Sequence, residues 1–522
     1  MRGTGDRTSV AERAATQHHE QGVLSPVPAS PAPDTGGDAD TSAPLELVTR
    51  LCETLAAEDV HYCHWKSNDV LERSGTAEND LDLLVSRRDA PRFADILQRL
   101  GFKEAAPPAA KRFPSVFSAY GLDEDSRKIV HVHAQYQLVL GDDMTKNYRI
   151  PIEEAYLGSA QQGAVFCTPA PEFELVVFII RMTLKHCTLD AMLCGQGSRS
   201  GAELRELEYL WARADLERTQ AVVREHLPYV GEELWARCAA CVRLRSSHRQ
   251  KVRAAYRLEQ SLEPFGRRSW AADLQMRTQR RVRVVFNRRV LGRRSQRHRL
   301  LKGGAVVAFV GADGAGKSTA VDEVSRWLAR DFETITVHLG KPPRSRMSFV
   351  ARAGLVLRRG RRTAAGTIEP TPPGTSSSSI RSVLDILPRM LRSRDRYLAY
   401  VRARRFAAQG GIAISDRYPL PQIKLMDSAA TSRSDVPGVL GALTRLEHRY
   451  YASMVYPDVL IVLQVDPQTA VERSQDDEAY VRRRSEEALQ VDWGQTPAIV
   501  VDAARPLSEV LAEIKSVVWS AL

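Results

Sequence analysis

The chain has 522 residues, with 74 Lys and Arg against 63 Asp and Glu, a formal net charge of +11, and 43% hydrophobic residues. That length is expected to hold about two or three domains, and the composition is that of soluble globular cores, which excludes a globally disordered chain. No apolar run approaches the length of a membrane span and no apolar region follows Arg2, Arg7 and Arg13, so neither a span nor a secretory signal is expected, and the expected location is the cytoplasm.

Residues 1–44 are rich in Ala, Pro, Gly, Asp, Ser and Thr without a periodic apolar pattern, so a disordered tail is expected there. Leu47, Val48, Leu51 and Leu55 at helical spacing open the ordered chain, followed by a strand-like run into Trp65 and a strand from Leu81 to Val85. Asp89 and Pro91 start a helix whose apolar face is Phe93, Ile96, Leu97 and Leu100, and Gly101 ends it. Further strands, Val116 to Tyr120 and Ile129 to His133, complete a small mixed α/β unit over 45–165. Within it, Asp80 and Asp82 stand at i and i+2 on one face of a strand, with Leu81 and Leu83 on the other. Two such carboxylates can share Mg2+.

From Pro171 to about residue 300 the pattern is helical, with Phe173 to Leu184 apolar on most sides and Leu204, Leu207, Leu210 and Trp211 marking an amphipathic segment. This region, 166–300, reads as a helical domain plus a basic connector. The Arg280-Arg281, Arg288-Arg289 and Arg293-Arg294 doublets could meet a polyanion, but aromatic interleaving is sparse, so a solvated connector is expected and nucleic acid is not. All seven cysteines precede residue 303 without paired metal-ligand spacing, and Cys238 and Cys241, a lone C-x-x-C on a helix, are expected to be buried thiols.

From Gly303 onward strands alternate with helices: Val306 to Val310, Ile335 to Leu339, Ile412 to Ser415, Val459 to Val465 and Ile499 to Val501, then a last helix from Pro506. Short apolar strands between helices imply a parallel sheet covered on both faces over 303–522. The first strand runs into Gly311-Ala312-Asp313-Gly314-Ala315-Gly316-Lys317-Ser318-Thr319, a full G-x-x-x-x-G-K-[ST] loop, and Val321, Val324 and Leu328 continue it as a helix. Glycines let the backbone wrap a phosphate, free amides at the helix start receive its charge, and an ammonium reaches the β and γ phosphates. ATP is therefore expected at Gly311, Asp313, Gly314, Gly316, Lys317, Ser318 and Thr319, with Lys317 as the ammonium and Ser318 offering its hydroxyl to Mg2+. An Arg, Pro, Gly and Ser-rich insertion, about 358–379, is expected to be a mobile loop.

The GADGAGKST loop, Ile414-Ser415-Asp416-Arg417-Tyr418, the run Tyr456 to Pro467, the Tyr480-Val481-Arg482-Arg483-Arg484 stretch and the ending from Ile499 resemble the thymidylate kinase family of nucleoside monophosphate kinases over most of 303–522. The resemblance implies that Arg417 holds the acceptor phosphate, that Asp416 helps organise Mg2+ and the donor, that Arg396 faces the acceptor, and that Arg473 with Arg482, Arg483 and Arg484 belongs to a closing lid. Catalytic roles thereby fall to Lys317, Asp416, Arg417, Arg473 and Arg484, and metal contacts to Ser318 and Asp416. The chain departs from the family at His338-Leu339-Gly340-Lys341-Pro342-Pro343 and at Pro419-Leu420-Pro421-Gln422, where the family carries its acceptor-reading residues.

In the first half, His64-Trp65-Lys66-Ser67-Asn68 followed by the Asp80 and Asp82 strand resembles the nucleotidyltransferase superfamily. That likeness implies a metal held by Asp80 and Asp82 beside a turn bearing Lys66 and Ser67. The neighbouring strand, where the superfamily adds a third carboxylate, carries His131 and His133 here, which could serve as base or ligand, or mark a domain that binds without catalysing. The expected activity is transfer of the γ-phosphate of ATP to a nucleoside monophosphate or similar small phosphorylated acceptor, with ATP and Mg2+ as cofactors and a homodimer among the possible assemblies. Two other readings stay open: a regulatory ATP-binding switch, and a scaffold with degenerate sites.

Overall fold

The computed structural model describes residues 43–108, 112–244, 246–289, 297–340, 342, 376–420, 438–474 and 477–522. The 1–42 part of the tail, Arg293 and Arg294, Lys341, Pro343, the insertion through residue 375, and Pro421 and Gln422 lie outside them. The structure is α/β, with a mixed sheet, a helical middle and an all-parallel second sheet.

The first sheet is built from β1 (Tyr62–His64), β2 (Leu81–Val85), β3 (Lys103–Ala106), β4 (Val116–Leu122) and β5 (Ile129–Gln135). Two short hairpins follow, β6 (Val139–Leu140) with β7 (Tyr148–Arg149) and β8 (Gln161–Gln162) with β9 (Cys167–Thr168), and much later comes β10 (Arg299–Leu300). The strand order is β1-β2-β5-β4-β3-β10, with β2 and β5 parallel and Asp82 in register with His133. Leu81, Leu83, Val130 and Val132 pack on one face beneath helices Glu46–Ala57 and Ala90–Arg99. Strand alternation sends Asp82 and Leu84 to the other face, and Leu84 joins the core of the helical region. Tyr120, Leu122 and Ile129 instead share a core with Val307, Phe309 and Phe332 of the second sheet's unit.

Helix Pro171–His186 is the axis of the helical region, buried from Glu174 through Ile180 and packed by helices Gly201–Arg213, Leu216–His226, Glu232–Arg243 and His248–Ser261. Cys238 and Cys241 are buried free thiols in it, and burial pushes Cys238 up to about 12. Among the described residues no helix is long and apolar enough to cross a membrane.

The second sheet contains β11 (Val306–Gly311), β12 (Thr334–Val337), β13 (Ile412–Ser415), β14 (Val459–Gln464) and β15 (Ala498–Asp502), in the order β12-β13-β11-β14-β15, every pairing parallel. Helices Lys317–Leu328 and Leu507–Ala521 pack on one side, while helix Ser376–Ala408 contributes Ala399, Tyr400 and Ala403 to the core on the other. That long helix begins at Ser376, so the end of the expected insertion loop, Ser376 to Ser379, is helical.

The sequence reading assigned residues up to 300 to the helical region, yet Arg299 and Leu300 pair with Ala106 and Ala105 as the edge strand of the first sheet. The same segment donates Leu300 N–H to the Gly410 carbonyl and bridges His298 to Phe332, so it stitches the edges of the two sheets together.

One buried carboxyl group gives this fold a pH dependence. Glu174 is 4% exposed, accepts from Asn68 Nδ2 at 3.0 Å through Oε2, and leaves Oε1 buried without a partner. Burial raises its acid to about 8 from an ordinary 4.5. The folded state thus keeps a proton that the unfolded chain releases, so this group's stabilising contribution is full below 4.5 and is lost as pH rises through 8, at about 1.4 kcal/mol per pH unit within that window. Glu174→Gln is expected to leave the thermal midpoint near pH 4.5 unchanged and to raise it by several degrees near pH 8. Equal effects at the two pH values, measured by calorimetry or circular dichroism, would refute the assignment.

Candidate functional site

In an open parallel sheet, ligands bind at the carboxyl ends of strands where the strand order reverses. Here that point lies between β11 and β13, neighbours whose following connections run to opposite sides. The loop after β11 carries the glycines and Lys317, the loop after β13 carries Asp416 and Arg417, and a small pocket between them is lined by Gly311, Lys317, Asp416, Arg417 and Tyr418.

The loop is held by close backbone approaches. Gly314 has φ +86°, and a Cβ there would stand 2.2 Å from the Ala470 carbonyl oxygen of helix Pro467–Arg473. Gly316, at φ +83°, is the N-cap of helix Lys317–Leu328 and faces open space. Ser318 and Thr319 are exposed in the first turn of that helix.

Lys317 is 8% exposed, and its Nζ donates to the Ala312 carbonyl at 2.6 Å and lies 3.5 Å from Asp313 Oδ1. Burial, with Arg417 and Arg484 nearby, outweighs the Asp313 carboxylate and pushes the ammonium down to about 8. Two more cations reach the same carboxylate: Arg417 Nη2 at 3.5 Å and Arg484 Nη1 at 3.2 Å. Arg484 comes from helix Glu478–Leu489, is 8% exposed, and also donates to Tyr480 Oη. Asp313 thus collects three cations from three separate segments at the mouth of the loop.

Asp416 Oδ2 pairs with His338 Nδ1 at 3.0 Å, while its Oδ1 is buried with no hydrogen-bond partner. His338 follows β12 and was read from the sequence only as a departure from the family, and its role as partner of Asp416 depends on the β12–β13 pairing. Arg396, 5% exposed, donates to the Leu339 and Gly340 carbonyls at 2.6 and 3.2 Å and to Tyr451 Oη, so it braces the loop after β12. Arg473 donates to the Ala503 carbonyl at 2.8 Å, and Arg482 pairs with Glu478 on the outer side of its helix. Of Arg473, Arg482 and Arg484, only Arg484 meets Asp313 here.

In the first sheet, Asp82 is 13% exposed, and its Oδ1 takes both Lys66 Nζ and His133 Nδ1 at 2.9 Å. Burial alone would raise Asp82, but Lys66 and His133 overcome it and hold the carboxyl far below the usual range. Asp80 Oδ1 takes His131 Nδ1 at 2.8 Å. Arg181 and Lys146 face the same region, neither marked by any motif in the sequence; Arg181 is gripped by Glu206 at 2.6 Å, whose Oε1 also accepts from Ser67 N–H. Among the described residues no group of three or more His, Cys, Asp or Glu is arranged to hold a metal ion.

No family model matches the chain. It is similar to the protein named "Uncharacterized ATP-binding protein YghR" of Escherichia coli strain K12, at 26% identity over 220 residues, which is 41% of this chain and 86% of that protein. The same figures hold for the protein of that name in Escherichia coli O6:H1.

The two loop glycines separate strain from collision. A left-handed backbone costs an ordinary residue about 1–2 kcal/mol, and Gly316→Ala incurs that alone. Gly314→Ala adds the clash with the Ala470 backbone. The expected order of unfolding midpoints is wild type, then Gly316→Ala, then Gly314→Ala, and a Gly314→Ala midpoint at or above that of Gly316→Ala would show that the loop lies elsewhere.

Proposed function

We propose that the C-terminal unit, 303–522, is an ATP-dependent phosphotransferase of thymidylate kinase-like type that passes the γ-phosphate of ATP to a nucleoside monophosphate or similar small phosphorylated acceptor. The observation that carries this reading is the convergence of Lys317, Arg417 and Arg484 on one carboxylate at the mouth of the phosphate-binding loop. Phosphoryl transfer depends chiefly on positioning and on neutralising charge on the moving group. A set of cations held by an internal anion is already spaced for a phosphoryl group. The name given to YghR supports ATP as the donor.

In this reading Gly311, Gly314 and Gly316 shape the cradle, Lys317 reaches the β and γ phosphates, and Arg484 arrives from the lid helix as the site closes and excludes water. Arg417 holds the acceptor phosphate. Arg396 is a positioning residue, fixing the loop that carries Leu339 and Gly340. The unpartnered Asp416 Oδ1 and the exposed Ser318 would hold a Mg2+ ion, which when bound would supply neutralisation of phosphate charge. The N-terminal unit, 45–165, we read as nucleotidyltransferase-like in fold, joined at its edge by Arg299 and Leu300, and the helices between them as its helical partner and connector.

The full chain incubated with Mg2+, ATP and a panel of nucleoside monophosphates and sugar phosphates is expected to release ADP only with a competent acceptor. Lys317→Ala is expected to lower kcat/KM by about 10³ or more, on the order of 4 kcal/mol. Arg417→Ala is expected to raise the acceptor KM while ATP binding persists. Absence of acceptor-dependent ADP from every panel member, with ATP still bound, would replace this reading by that of an ATP-binding switch.

A further inference from the structure

Transfer of phosphate to phosphate leaves His338 without a task, although it stands at the mouth of the site. Val337 and Ser415 are in parallel register, so the residues that follow them, His338 and Asp416, emerge side by side at the carboxyl ends of β12 and β13. His338 Nδ1 lies 3.0 Å from Asp416 Oδ2. A carboxylate only accepts, so Nδ1 carries the proton and, in the neutral ring, Nε2 keeps a lone pair. The His338 side chain is 59% exposed, and among the described residues no hydrogen bond reaches Nε2. Asp416 lines the same pocket as Lys317 and Arg417, so this lone pair opens at the rim of the place where a phosphoryl group would sit.

Resting on the phosphotransferase reading of 303–522, we propose that the group receiving the γ-phosphate is a hydroxyl of the phosphorylated acceptor, not its phosphate, and that His338 Nε2 accepts the hydrogen bond of this hydroxyl and then its proton. The acceptor class is a phosphorylated alcohol, a sugar or polyol phosphate, and the product carries two separate phosphomonoesters. In the step, the hydroxyl oxygen forms the new bond to the γ-phosphorus while the bond from that phosphorus to the bridging oxygen breaks. ADP leaves with the electron pair, and the hydroxyl proton passes to His338 Nε2 and from there to solvent.

Two features oppose a phosphate as the attacking group. A phosphate oxygen is already anionic near neutral pH, so it gains nothing from a base and would face the Nε2 lone pair acceptor to acceptor. A second phosphate pressed against the γ-phosphate also calls for cations on the acceptor side. Arg396, which the resemblance sends there, has Nε, Nη2 and Nη1 donating to the Leu339 carbonyl, the Gly340 carbonyl and Tyr451 Oη. Arg417 is left for the acceptor's own phosphate, which takes no part in the bond changes. An alcohol, by contrast, must lose a proton to become a phosphate ester, and a histidine oriented by a carboxylate is suited to take it.

The test incubates the full chain with Mg2+, ATP and, one at a time, glycerol phosphate, ribose phosphate, hexose phosphates, thymidine monophosphate and uridine monophosphate, and reads the products by phosphorus NMR. The expected result is ADP together with a product showing two phosphomonoester signals that are not coupled to each other. ADP accompanied by the coupled signals of a new diphosphate would overturn the proposal while sustaining the kinase reading, and no ADP with any acceptor would overturn both. His338→Asn keeps an N–H where Nδ1 stands and lacks Nε2. It is expected to lower kcat about a hundredfold or more with the KM for ATP within about threefold of the parent's, and His338→Ala is expected to match it. Asparagine would replace a histidine that only braces Asp416, so a His338→Asn kcat within about threefold of the parent's would also overturn the proposal.

Discussion

The parallel pairing of β11 with β13 is the constraint on which the rest of the C-terminal unit rests. Val306, Val307 and Ala308 lie in register with Ala413, Ile414 and Ser415, so the two strands end side by side and their loops must share one mouth. The loop after β11 can wrap tightly only because glycines accept left-handed angles against the Ala470 and Leu463 backbones. With the backbone fixed, Lys317 has few places to go, and the loop's own Asp313 becomes the meeting point for cations delivered by the loop after β13 and by helix Glu478–Leu489. The geometry follows from hydrogen-bonded strands and from charge, with side-chain specificity added last.

Much of this was legible from local pattern. The strands Leu81–Val85 and Ile412–Ser415 stand where short apolar runs placed them, and the helix after Asp89 ends before Gly101, which has φ +78°. The strand Arg299–Leu300 was not legible, because two residues carry no periodicity and their pairing partners lie almost two hundred positions earlier. The site was partly legible for a similar reason. The glycine-rich loop is one contiguous motif, whereas His338, Lys146 and Arg181 reach their neighbours only through tertiary packing. The resemblance assigns Arg473 to a lid, whereas the carbonyl it donates to depends on how the loop after β15 folds back.

The two halves use carboxylates in contrasting ways. In the second sheet's unit Asp416 keeps an oxygen buried and unmatched. In the first sheet Asp80 and Asp82 are each paired through Oδ1, with the strand register itself bringing His133 opposite Asp82. The identity of residues on or just beyond the adjacent strand decides how each aspartate is used, His133 beside Asp82 and His338 beside Asp416.

The stitch at 298–301 bears on how the molecule can be taken apart. A cut just before Gly303, where composition invites one, would leave the second sheet's unit without the residues that cap Gly410 and Phe332, and would bare Tyr120, Leu122 and Ile129 on the other fragment. Neither piece would keep a sealed interior. Any attempt to study one half in isolation would therefore report on a surface that the intact chain never presents to water.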